Sequence, residues 1–212
     1  MTKHPARYSD VLMPVFDKIL PEKGEILDCF AGTGKLRTIR PNCTLLEIEP
    51  EWAEMNGAIV GDATAMPFSD ESFDAVCTSP TYGNRMADSF IDHKPEKNYK
   101  RNTYTHCLGR KLSENNSGAM QWGDKYRALH EKAWCEVKRV LKPRGLFVLN
   151  ISDHIRNGEV VAVSDWHKTT ILNLGFKLVK TIQIETPRNR FGANSKARVE
   201  FEKVFIFING EG

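Results

Sequence analysis

The segment Glu25-Ile26-Leu27-Asp28-Cys29-Phe30 runs directly into Ala31-Gly32-Thr33-Gly34. Its apolar residues read as a buried parallel strand, and the two glycines that follow give the main chain two positions without a Cβ. Glycine tolerates a left-handed turn and lets a ligand come close to the backbone. A strand that ends in such a turn is the first βα unit of an open α/β sheet, in which ligands sit beyond the carboxyl ends of the strands.

The rest of the chain supplies that sheet. Val11, Leu12, Val15, Phe16, Ile19 and Leu20 recur at helical spacing, with Pro14 in the first turn and Pro21 and Gly24 past the end. Residues 44–48, 58–60, 73–77 and 146–151 read as strands, and Pro50 opens a helix with acids in its first turn. A further helix is expected over 125–141, stopped by Lys142-Pro143-Arg144-Gly145, and another over 165–174, capped by Gly175. Residues 177–184 and 199–208 read as two last strands with no helix between them. The fold class is therefore α/β: a doubly wound, seven-stranded, mostly parallel sheet with an antiparallel C-terminal hairpin.

With 212 residues, a single domain over 1–212 is expected. Residues 84–124 form an Asn-rich polar insertion between the fourth strand and its helix. That is far longer than the ~12–15 residues beyond which loops in compact domains are usually functional or disordered. No apolar run approaches the ~20 residues of a membrane helix, and no signal peptide is visible. Five widely spaced cysteines without a CxxC pair argue against zinc or a disulfide framework. They point to a reducing, cytoplasmic setting. The histidines show no ligand spacing, so no metal is expected. Trp122 and Trp134 read as packing residues. Net charge is only +3, so a nucleic-acid surface must come from local clusters.

Two such clusters exist. Lys94, Lys97, Lys100, Arg101, Arg110 and Lys111 are interleaved with Tyr99 and Tyr104, and Arg85 precedes them; Arg188, Arg190, Lys196 and Arg198 lie in the final hairpin. Cations with aromatics suit phosphate contact and base stacking. Acids stand at three successive strand ends, at Asp28, Glu47 and Asp62, and Asp153 and His154 follow the fifth strand. After the fourth strand comes Thr78-Ser79-Pro80-Thr81-Tyr82-Gly83. The dinucleotide fingerprint G-x-G-x-x-G is not met, because Arg37 stands three positions past Gly34.

The Phe30–Gly34 loop, the run 61–74 and the Ser-Pro-Thr-Tyr loop, in this order, resemble the class I S-adenosylmethionine-dependent methyltransferases, and among them the amino-methyltransferases of nucleic-acid bases. The resemblance covers 26–151. It implies a cofactor site at Asp28, Phe30, Ala31, Gly32, Gly34, Glu47, Ile48, Asp62, Ala63 and Ser79. Glu47 would take the ribose hydroxyls, Asp62 the adenine amino group, and Asp28 would stand near the amino-acid part. It implies catalysis by Ser79, the Pro80 carbonyl and Tyr82. An exocyclic amine has its lone pair delocalised into the ring. Acceptors on both amino hydrogens free it, and an aromatic stacks on the extruded base. A Ser preceded by Thr leans towards cytosine N4 over adenine N6. DNA is the implied substrate, with Arg85, Lys97, Lys100, Arg101, Arg110, Lys111, Arg188 and Arg190 as candidate contacts and 84–124 as the recognition element. The family usually has a second proline where this chain has Thr81, so the loop is expected to be less rigid. An RNA base amino-methyltransferase and a non-catalytic binding module remain open.

Overall fold

The structure is a computed structural model and describes residues 4–5, 8–83, 104–186 and 199–210. A short 3₁₀ turn leads into helix α1 (Met13–Ile19), with Pro14 in its first turn. Strand β1 (Ile26–Asp28) follows, then a 3₁₀ turn, β2 (Thr44–Glu47), α2 (Pro50–Asn56), β3 (Ile59–Val60) and β4 (Phe73–Thr78). After α3 (Tyr104–Leu108) come α4 (Asp124–Val140), β5 (Leu141–Ile151), β6 (His154–Arg156) and β7 (Glu159–Val161). The chain closes with α5 (Val163–Asn173), β8 (Lys177–Glu185) and β9 (Phe201–Ile208).

Seven strands form one sheet in the order β3-β2-β1-β4-β5-β9-β8. β1, β2, β3, β4 and β5 are parallel, and β9 inserts antiparallel between β5 and β8. The order reverses between β1 and β4, so a crevice opens beyond their carboxyl ends. Alternate residues go to opposite faces. Leu27, Val76, Phe147, Leu149, Phe205 and Phe207 pack with Tyr126, Trp134, Val137 and Ile171 of α4 and α5. Ile26, Ala75, Cys77, Val148, Val204 and Ile206 pack with Leu12, Met13 and Phe16. Both faces are covered, which is why these strands read as nearly continuous apolar runs.

The structure departs from the sequence expectation in three places, the first being α3, a short helix inside the insertion 84–124, where none was expected. β5 starts at Leu141, directly after α4, instead of at 146, and pairing with β4 shifts between Phe73↔Leu141 and Ala75↔Leu146. The Lys-Pro-Arg-Gly segment ends the helix and then becomes a bulge. Arg144 has φ 63°, and a Cβ on Gly145 would stand 2.8 Å from the Lys142 carbonyl oxygen. The β6–β7 hairpin was not expected. Its turn is Asn157-Gly158, both with positive φ (53° and 84°), the geometry that Asn-Gly favours.

Leu27→Ala removes a fully buried side chain from the centre of the sheet. It is expected to cost about 2–5 kcal/mol in urea unfolding. Val179→Ala, at a residue 58% exposed on β8, is expected to change stability by less than about 0.5 kcal/mol.

Candidate active site

The crevice at the β1/β4 reversal holds a cavity of about 350 Å³. Its walls come from the turns after successive strands: Phe30, Ala31, Gly32 and Thr33 after β1; Glu47 and Ile48 at β2; Asp62 and Ala63 after β3; Ser79, Pro80, Thr81 and Tyr82 after β4. Of the cofactor residues expected from sequence, Asp28 and Gly34 do not line it. Gly34 is a turn residue with φ 67°, and a Cβ there would meet Leu45 Cδ1 at 2.9 Å. Gly32, with φ 51°, does face the cavity; a Cβ on it would touch the His4 ring at 3.0 Å.

Asp28 is buried beneath the site. Its carboxylate accepts from the Tyr8 hydroxyl (3.0 Å), the Thr78 hydroxyl (2.7 Å) and the Phe30 N–H (3.2 Å). Burial pushes its carboxyl up from 3.8 to about 6 against the opposing pull of those hydrogen bonds. Glu47 is likewise pushed up, from 4.5 to about 7, chiefly by burial. It accepts from the N–H groups of Gly32 (2.9 Å) and Glu49 (3.0 Å). Asp62 accepts from the Thr64 N–H and hydroxyl (both 2.8 Å) and from the Asn115 amide (2.6 Å).

On the β4 side, Ser79 Oγ lies 3.2 Å from Tyr82 Oη and accepts from Asn150 Nδ2 at 3.2 Å. The same amide reaches Tyr82 Oη (3.1 Å) and Glu202 Oε2 (2.8 Å). Pro80 is buried.

Sequence reasoning missed several lining residues. Asn115, Asn116 and Ser117 belong to the insertion; Trp52 meets Tyr104, an aromatic the sequence had singled out for base stacking; His4 packs edge-on against Trp52 at 4.3 Å. Glu202 also lines the cavity, at the start of β9. An acid in the same strand phase as buried Val204 and Ile206 was its sequence signal. Asp153 and His154 do not line the cavity. Asp153 instead accepts from the Ser164 N–H (2.8 Å) at the start of α5 and pairs with Lys203 (3.2 Å).

The basic candidates divide. Arg85, Lys97, Lys100, Arg101, Arg188 and Arg190 lie outside the described residues. Lys111 is exposed. Arg110 is paired internally, to Glu49 (2.8 Å) and to Glu51 (2.5 Å). Glu49 is fully buried and also accepts from Ser113 and Asn116, so this pair fastens the insertion to α2. Among the described residues no group of His, Cys, Asp and Glu is placed to hold a metal ion, and no helix is long and apolar enough to cross a membrane.

This sheet order, with its cavity at the β1/β4 reversal, is the Rossmann-like methyltransferase architecture. A family model described as "DNA methylase" matches residues 73–211, more than half of the chain, and the chain belongs to that family. It is an S-adenosylmethionine-dependent methyltransferase. No curated protein matches the sequence. Solved structures similar in fold include an S-adenosylmethionine-dependent methyltransferase of Methanosarcina mazei. It is 14% identical with a TM-score of 0.59, covering 94% of this chain and 98% of that one. The [4+2]-cyclase SpnF is also 14% identical, with a TM-score of 0.60 and coverage of 96% and 81%. A methyltransferase solved in complex with the Haloferax volcanii Trm112 activator is 12% identical, with a TM-score of 0.56 and coverage of 94% and 89%. At such identity the likeness concerns the fold, and a cyclase among these structures shows that the fold does not dictate the reaction.

Because the folded value of Glu47 lies near 7 and its ordinary value near 4.5, the native state holds the extra proton between them. Its contribution to stability is present at low pH and lost as pH rises through about 7. The stability of the protein relative to Glu47→Gln is therefore expected to fall from pH 5 to pH 8, read from denaturant midpoints at each pH.

Proposed function

We propose that this protein transfers a methyl group from S-adenosylmethionine to the exocyclic amino group of a DNA base, with cytosine N4 favoured over adenine N6. The observation that carries the reading is the Ser79-Pro80-Thr81-Tyr82 loop. It leaves β4 at the wall of the same cavity that the Gly32 loop, Glu47 and Asp62 line.

The cavity suits the cofactor. Gly32 gives a cradle that a side chain would fill, Glu47 offers a buried acceptor to a ribose diol, and Asp62 offers one to an adenine amine, with Ile48 and Ala63 as apolar walls. The cofactor supplies an electrophilic methyl on a sulfonium that departs as a neutral thioether. The protein's part is to hold the amine in line with that methyl and to free its lone pair. The Asn150 amide donates to Ser79 Oγ, which leaves the hydroxyl a second lone pair for one amino hydrogen. The Pro80 carbonyl is assigned the other hydrogen, and the Tyr82 ring the face of the extruded base. As the C–N bond forms, the amine loses one proton, which passes to solvent.

Recognition is assigned to the insertion 84–124 and the final hairpin. Residues 115–117 line the cavity, which supports a role for the insertion next to the substrate. Lys111 and the cations at 85, 97, 100, 101, 188 and 190 would meet phosphates. Arg110 is assigned to holding the insertion, since two carboxylates already occupy it.

The test is label transfer from S-adenosylmethionine to duplex DNA, tRNA and rRNA, followed by digestion to nucleosides. N4-methylcytosine from DNA is expected. Label in RNA alone would overturn the DNA assignment, and cofactor binding without transfer to any nucleic acid would overturn the enzyme reading. Tyr82→Ala is expected to lower turnover about 10- to 100-fold, the worth of a base stacked on an aromatic, with cofactor affinity nearly unchanged. Gly32→Val puts a branched side chain at φ 51° against His4, and is expected to lose cofactor binding first. Cofactor affinity is expected to rise from pH 6 to pH 8 as Glu47 ionises, and calorimetry on Glu47→Gln should show that rise gone.

A further inference from the structure

Thr81 stands where the resemblance leads one to expect a second proline, yet its carbonyl is held by a buried chain of donors. The indole N–H of Trp134 donates to Nδ1 of His167 at 3.0 Å. Indole nitrogen is a donor only, so Nδ1 is the acceptor, and the neutral ring carries its proton on Nε2. Nε2 lies 2.9 Å from Tyr126 Oη, and that hydroxyl donates to the Thr81 carbonyl at 2.6 Å. Trp134, His167 and Tyr126 are all fully buried. Burial, with His130 nearby, holds the His167 pKa well below its ordinary value. The direction of the chain is therefore fixed: indole to imidazole to phenol to loop carbonyl. The His130 ring packs against the Tyr126 ring, with centroids 4.0 Å apart, and its Nδ1 lies 2.8 Å from the Tyr126 main-chain carbonyl oxygen.

We infer that Tyr126 is a positioning residue of the catalytic loop. Its hydroxyl, oriented by His167, fixes the Thr81 carbonyl and supplies the stiffness that a second proline would otherwise give. Two further bonds complete the clamp: Thr81 Oγ1 donates to Ser117 Oγ (3.0 Å), and the Trp122 N–H donates to the Gly83 carbonyl (2.9 Å). The Thr81 N–H donates to nothing among the described residues, so a proline there would break no main-chain hydrogen bond and would remove only the hydroxyl contact to Ser117. The inference rests on the proposed reaction, in which Ser79 and the Pro80 carbonyl must meet one amine. A misplacement of about 1 Å in such a constellation costs on the order of 100-fold in rate.

The test uses the full-length protein with Tyr126→Phe, alone and combined with Thr81→Pro. The first readout is amide exchange at Tyr82 and Gly83, which needs no substrate. Tyr126→Phe is expected to speed exchange there about 10-fold, with cofactor affinity within about 2-fold of the parent, and Thr81→Pro is expected to reverse it. The second readout is single-turnover methyl transfer, expected to fall about 10- to 100-fold and to recover with the proline. His167→Phe should move both readouts the same way, and it decides the matter if Tyr126→Phe does not accumulate. Unchanged exchange in both variants, or faster exchange that the proline does not reverse, would overturn the inference. A purely structural role would lower the melting temperature without a rate loss that proline rescues. Absence of methyl transfer in the unaltered protein would overturn the proposed function instead, and the exchange readout would still judge the clamp.

Discussion

The structure depends on one buried carboxylate. Asp28, at the end of β1, accepts from Tyr8, from Thr78 at the end of β4 and from the Phe30 N–H, while Thr78 also accepts from that N–H at 3.1 Å. These bonds tie the turn after β1 to the turn after β4 across the point where strand order reverses. A charge so deep is costly unless several donors surround it. The three donors offset that cost, and they fix how far apart the glycine loop and the Ser-Pro-Thr-Tyr loop can stand. Asp28 was expected beside the cofactor. It holds the glycine loop from behind, through the Phe30 N–H.

Much of the architecture was legible because both faces of the sheet are covered. Strands buried on two sides are written as apolar runs, and those over 73–77 and 199–208 stand out in the sequence for that reason. The βα glycines and the helix stops were legible through backbone chemistry, in which φ > 0 or a missing N–H leaves few residue choices. The β6–β7 hairpin was missed although Asn157-Gly158 marks it, since its strands have only three residues each and no periodicity of their own.

The site was legible in part, and the division is physical. Residues that follow a strand, such as Gly32, Glu47, Asp62 and Ser79, are placed by the strand, so strand assignment locates them. Residues that reach the cavity through tertiary contact carry no local signal. Asn115 and Ser117 arrive because Arg110, Ser113 and Asn116 fasten the insertion to buried Glu49. Glu202 arrives because β9 lies beside β5, next to Asn150. Arg110 looked like a phosphate contact by composition, and its two carboxylate partners lie far off in sequence. Thr81 looked like a loss of rigidity, because the hydroxyl that holds its carbonyl is on α4, 45 residues away.

The central claim is that this cavity and its β4 loop act together on a base amine. The most direct measurement is mass spectrometry of nucleosides from the DNA of cells expressing the protein, beside cells expressing Ser79→Ala. The account predicts N4-methylcytosine in the first and its loss in the second. Equal amounts of methylated base in both, or none in either while the cofactor binds, would contradict it.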